Sequence, residues 1–124
     1  MKAHFAIVID TSRDLVRLTL GGFFAVADVR SLQAERVRRY ADLRCAPNQH
    51  LTLCDASAMR IQSRDAVAAF SGFVRDPRFL SRKLAIVSNS SLARMQTLRV
   101  NPPDRPGLRM FDMLDEAEAW LIGA

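Results

Sequence analysis

Histidine, cysteine and lysine are scarce in this 124-residue chain, at two of each. His4 and His50 both open apolar segments, and neither has further ligand-type residues at metal-binding spacing. No metal is therefore implied. His50 and Cys54 share one face of a predicted strand but lie about 13 Å apart along it, too far for a thiolate–imidazole pair. Cys54, inside an apolar pattern, reads as a small buried hydrophobe. Long apolar runs are missing too. None approaches the ~18 residues of a membrane span. Met1-Lys2-Ala3-His4 leads into a short apolar stretch closed by Asp10, which is no secretory signal. A reducing cytoplasm is the expected location.

Glycine supplies the pair Gly21-Gly22 but no GxxxxGK phosphate loop, and no cofactor is implied. The shortage of lysine leaves arginine to carry the charge. The net charge is +5, and 16 of the 18 basic residues are arginine, spread from Arg13 to Arg109 among 13 acids. That dispersal speaks against a dedicated nucleic-acid face. What is present is the ordinary globular balance, 49% apolar and 25% charged, at a length suited to one domain.

The pattern along the chain alternates strands and helices. His4 to Ile9 is β-branched and apolar, and Leu15 to Leu20 alternates polar and apolar positions. With Asp10-Thr11-Ser12 between them they predict an antiparallel hairpin. Gly21-Gly22 is expected to stop the second strand. A helix from Phe24 to Leu43 is predicted by the stripe Val26, Val29, Leu32, Val37, Tyr40 and Leu43. Arg30, Arg36, Arg38, Arg39 and Arg44 read as its solvated basic face.

A buried central strand then runs from His50 to Cys54, followed by a polar turn and a linker from Ala58 to Gln62. Ser63 is a good N-cap, and Asp65 suits the first turn of the next helix, whose stripe is Ala66, Val67, Phe70, Phe73 and Val74. Lys83 to Val87 is another strand. Ser91 to Leu98 is a helix with Leu92, Met95 and Leu98 as its apolar positions. Asn101 to Gly107 is a loop, and Leu108 to Phe111 an edge strand. Asp115 to Leu121 is a closing helix with Leu114, Ala117, Trp120 and Leu121 inward. This order predicts an α/β fold, a mixed and mostly parallel sheet with helices against it.

In such sheets ligands and partners meet the carboxyl ends of the strands. Here that edge carries Asp55, Ser57, Ser88 and Asn89, with the helix start Ser63, Arg64 and Asp65 nearby. The same residue types also serve as ordinary turn and cap chemistry. No nucleophile–base pair can be drawn among the residues, so no catalytic residue is assigned.

The strand ending Asp55-Ala56-Ser57, with the helix start Ser63-Arg64-Asp65-Ala66 beyond it, resembles the STAS fold of anti-sigma-factor antagonists, also called SpoIIAA-like. In that family the strand closes on a D-L-S-like triplet, and a D-S-S-G-like box opens the next helix. The ending Phe111 to Leu121 is similar to that of stand-alone bacterial STAS/SEC14-like proteins. The resemblance implies a SpoIIAA-like mixed, mostly parallel β-sheet with an N-terminal hairpin. It implies a non-enzymatic regulatory or protein-interaction module with an unnamed protein partner, and leaves a homodimer open. Its SEC14-like branch implies an alternative, a small apolar or lipid-like ligand under the helices, with Phe23, Phe24, Phe70, Phe73 and Phe79 as lining. The regulatory branch is phosphorylated on the second serine of the box, where this chain has Asp65. A carboxylate there mimics the phosphorylated state, marks a lost switch, or simply complements the helix dipole.

Overall fold

The computed structural model describes residues 1–101 and 105–123. Strands β1 (His4–Asp10) and β2 (Leu15–Gly22) form the antiparallel hairpin, with Ile7 opposite Leu18. The chain continues through α1 (Val26–Tyr40), β3 (Leu51–Met59), α2 (Arg64–Arg75), β4 (Lys83–Val87), α3 (Ser91–Val100), β5 (Leu108–Phe111) and α4 (Leu114–Ile122). The five strands lie in sequence order, and every pair after the hairpin is parallel. This is the expected mixed α/β sheet.

Period-2 alternation divides the core between the two faces of the sheet. Val16, Leu18 and Leu20 of β2 join Cys54, Ala56, Leu84 and Ile86 beneath α1, α2 and α3. Leu15, Leu51, Leu53, Ala85 and Val87 point the other way, under Ala117 and Leu121 of α4. The central strand β3 is thus covered on both sides, as its lack of clean polar–apolar alternation predicts. Trp120 closes the α4 side, its ring 5.7 Å from that of Phe111. Leu114, expected inward, is exposed.

Several expectations are corrected. Gly21-Gly22 does not stop β2. The strand passes a bulge between Thr19 and Gly21 and pairs Gly21 with Ala58 and Gly22 with Met59. Gly22 has φ +81°, and a Cβ there would strike the Lys2 carbonyl, so glycine is required. The extra pairing carries β3 through Met59, well past the predicted end at Cys54. Helix α1 ends at Tyr40, short of Leu43, with Ala41 as its C-cap.

The stripe of α1 also shifts. Val37 is exposed, while Arg36 is only 5% exposed. Arg36 stands seven residues after Val29 and four after Leu32, on the buried line of the helix. Its guanidinium lies between the rings of Phe73 and Phe79, 3.9 and 4.2 Å from their centroids. It donates to the Phe73 carbonyl at 2.6 Å and stands 3.7 Å from the Asp76 carboxylate. Cation–π contact and that carboxylate offset the loss of water.

Helix α3 is the largest departure. Its buried residues are Ala93 and Val100, while Leu92, Met95 and Leu98 point to solvent, at 62, 52 and 56% exposure. The three apolar positions that the sequence marks on this helix form its outer face.

Candidate functional site

The carboxyl ends of β3 and β4 lie side by side, with Asp55 in register with Val87. Ser88 and Asn89 follow β4 directly, so Asp55, Ser57, Ser88 and Asn89 do share one end of the sheet. Ser57 does not sit in a turn. It lies in the tail of β3 that extends past β4, at the bulge just before the pairs of Ala58 with Gly21 and Met59 with Gly22. The Asp55 carboxylate accepts from the Ser57 backbone N–H at 3.1 Å and from its hydroxyl at 2.6 Å. Asp10 holds Ser12 the same way, at 3.1 and 2.7 Å. The arrangement is a local Asx-type lock.

Ser63 is the N-cap of α2, its hydroxyl oxygen accepting from the Ala66 N–H at 3.2 Å. Arg64 and Asp65 in the first turn are exposed. Asn89 is exposed as well, but Ser88 is buried at 1% exposure. The Ser88 N–H donates to Phe111 and its carbonyl accepts from Arg94 Nε at 2.8 Å, while its hydroxyl has no partner among the described residues. Ser88 is therefore a wall residue and not part of the open edge.

What fixes the edge in space is Gln62, which the sequence placed in a featureless linker. Its side chain accepts from the Phe24 N–H at 2.7 Å and donates to the carbonyls of Gly22 and Arg60 at 2.8 and 2.6 Å. Its backbone exchanges two hydrogen bonds with the Gln96 side chain, at 2.7 and 3.0 Å. One residue thereby joins the end of β2, the start of α1, the approach to α2 and the middle of α3. A glutamine just before a serine N-cap was the only signal available, and it specifies no partner.

A cavity of about 70 Å³ lies between α2, α3 and the sheet. Its lining includes Cys54, Phe70, Ile86 and Val100, with the Ser88 hydroxyl at its wall. Sites for drug-sized ligands enclose roughly 300–1,000 Å³. Of the five phenylalanines expected to line an apolar crevice, Phe70 lines this cavity and Phe79 lines a separate crevice of about 290 Å³ beside Tyr40 and His50. Phe24 packs edge-on against Phe70 at 5.0 Å, Phe73 and Phe79 sandwich Arg36, and Phe23 is exposed. Burial pushes the Cys54 thiol up to about 12, which keeps it protonated and poorly nucleophilic. His50 is buried with its ring 5.1 Å from Tyr40, and desolvation lowers its pKa.

No family model and no curated protein matches the chain. Solved structures do match over nearly its full length. A protein of the DUF3478 family from Shewanella loihica, described as having a SpoIIAA-like fold, superposes with a TM-score of 0.70 at 20% identity, covering 98% of this chain and 96% of that one. This chain has the SpoIIAA-like fold. An anti-sigma factor antagonist from Mycobacterium paratuberculosis follows at TM-score 0.64 and 13% identity, with 97 and 94% covered. The anti-sigma factor antagonist SpoIIAA in its unphosphorylated form matches at 0.59 and 16%, with 98 and 100% covered. Within this SpoIIAA-like frame the β3 tail and the α2 start are neighbours at the sheet's carboxyl end. No described helix is long and apolar enough to cross a membrane.

Proposed function

We propose that this SpoIIAA-like protein is a non-enzymatic interaction module. It binds a protein partner through the tail of β3, the segment after β4 and the first turn of α2. The observation that carries this reading is the exposed Ser57, Arg64, Asp65 and Asn89 on a fold shared with two anti-sigma factor antagonists. Asp65 stands where a switchable serine would be expected. The two hydroxyls that precede it most closely in the chain are already engaged, Ser57 with Asp55 and Ser63 as a helix cap. In this reading partner binding proceeds without phosphorylation. The cavity under α2 and α3 is too small for an acyl chain, and the larger crevice beside Tyr40 and Phe79 carries Asn48, His50 and Arg78 in its lining.

Affinity capture from the source organism tests the edge. The wild-type chain is expected to retain one specific protein that the double variant Arg64→Glu, Asp65→Lys releases. Retention by the variant would reject the edge. Incubation with cell extract and ATP, followed by intact mass, tests the switch. A phosphate mapped to Ser57 or Ser63 would overturn its loss.

A further inference from the structure

The outer face of α3 is built against the usual grain. The helix is fastened inward by Ala93 and Val100, both buried, and by Gln96, which bonds Gln62. Its three large apolar side chains, Leu92, Met95 and Leu98, point outward at a spacing of three. Such a row forms a ridge about 9 Å long, of the kind that fits a groove on another helix. A soluble surface that concentrates large apolar groups in one row marks a contact site.

Arginine rims the ridge. Arg94 and Arg99 belong to α3 itself. Arg75 donates to the Val100 carbonyl at 3.0 Å, at the helix's carboxyl end. Arg60 is exposed in the segment that Gln62 ties to Gln96. The first turn of α3 holds no acid. The acid paired to this rim is Asp112, held by Arg94 at 2.7 Å and itself largely exposed.

We propose that the α3 ridge docks an acidic, amphipathic helix of the protein partner, its apolar side over Leu92, Met95 and Leu98 and its carboxylates toward the arginines. This rests on the protein-partner reading above and names the chemistry of that partner. The charge selects an acidic occupant. The ridge selects a helix, whose grooves can take it, over a bilayer, which offers none.

The probe is a synthetic helix with leucine on one face and glutamate on the other. A lysine-faced version and a scrambled glutamate peptide serve as controls. Amide shifts of the labelled full chain are expected to move along α3 and Arg60 to Gln62 with the glutamate helix alone, and to weaken at high salt. The double variant Met95→Glu, Leu98→Glu should keep its melting temperature and bind roughly tenfold or more weakly. Equal binding of either control, no binding of the glutamate helix, or shifts elsewhere would overturn the proposal. So would stronger binding to phosphatidylglycerol vesicles, or self-association abolished by the same variant. The variant also enters the capture experiment. A partner released by the Arg64, Asp65 variant but kept by this one sinks the α3 ridge and leaves the edge standing.

Discussion

Single residues hold this fold's joints, and two carry measurable consequences. Gln62 satisfies backbone groups of Phe24, Gly22 and Arg60 in a buried setting. Truncation in Gln62→Ala leaves several of them unpaired, at about 1–3 kcal/mol each before relaxation. Urea unfolding of that variant is expected to show a loss of at least about 2 kcal/mol. Asp76 is the second. The Arg78 side chain bonds its carboxylate at 3.1 and 2.8 Å, and with Arg36 nearby its pKa falls to about 2. A carboxylate depressed in the folded state stabilises fully above its unfolded value near 4, and that stability is lost as pH falls toward 2. Asp76→Asn should therefore flatten the acid limb of a stability-against-pH profile between about pH 4 and 2. An unchanged limb would mean that the Arg78 and Arg36 contacts do not persist in solution.

At the scale of an element, α3 separates sequence pattern from packing. Read as a stripe, Leu92, Met95 and Leu98 would be core, and Leu98→Ser would cost several kcal/mol, as large-to-small core changes do. Because Leu98 is exposed, thermal melting of Leu98→Ser is expected to stay within about 0.5 kcal/mol of wild type. Ala93→Leu should instead cost about 1–3 kcal/mol, since Ala93 is buried in the contact that seats the helix. The reverse order of effects would show α3 turned about its axis. Helix α1 repeats the lesson with opposite sign. Its charged Arg36 occupies the buried line and its apolar Val37 the surface.

The whole molecule is two cores on one sheet. β3 contributes Cys54 and Ala56 to the three-helix side and Leu51 and Leu53 to the α4 side. Neither side keeps its floor if the other's strands dissolve. Trp120, the single tryptophan, reports on the α4 side alone. Its fluorescence and the far-ultraviolet circular dichroism are expected to share one urea midpoint. Separate midpoints would mean that α4 detaches as its own unit.

The strand and helix order, the opening hairpin and the central buried strand were legible in the sequence by itself, because hydrophobic period is a local property that survives folding. The N-cap role of Ser63 was legible for the same reason, its acceptor serving the next turn of its own helix. Tertiary structure alone decided the rest. Whether Leu98 faces in or out depends on what α2 offers opposite it. Whether Arg36 is solvated depends on two rings drawn from α2 and the segment after it. The length of β3 depends on Gly21 and Gly22, more than thirty residues earlier, supplying a partner for its tail. These are pairings between distant segments, and no local period records them. Strand β3 stands at the centre of the sheet. Its open edge is narrower than the sequence implied, since Ser88 is buried behind it, and Gln62 now stands as the residue that holds it there.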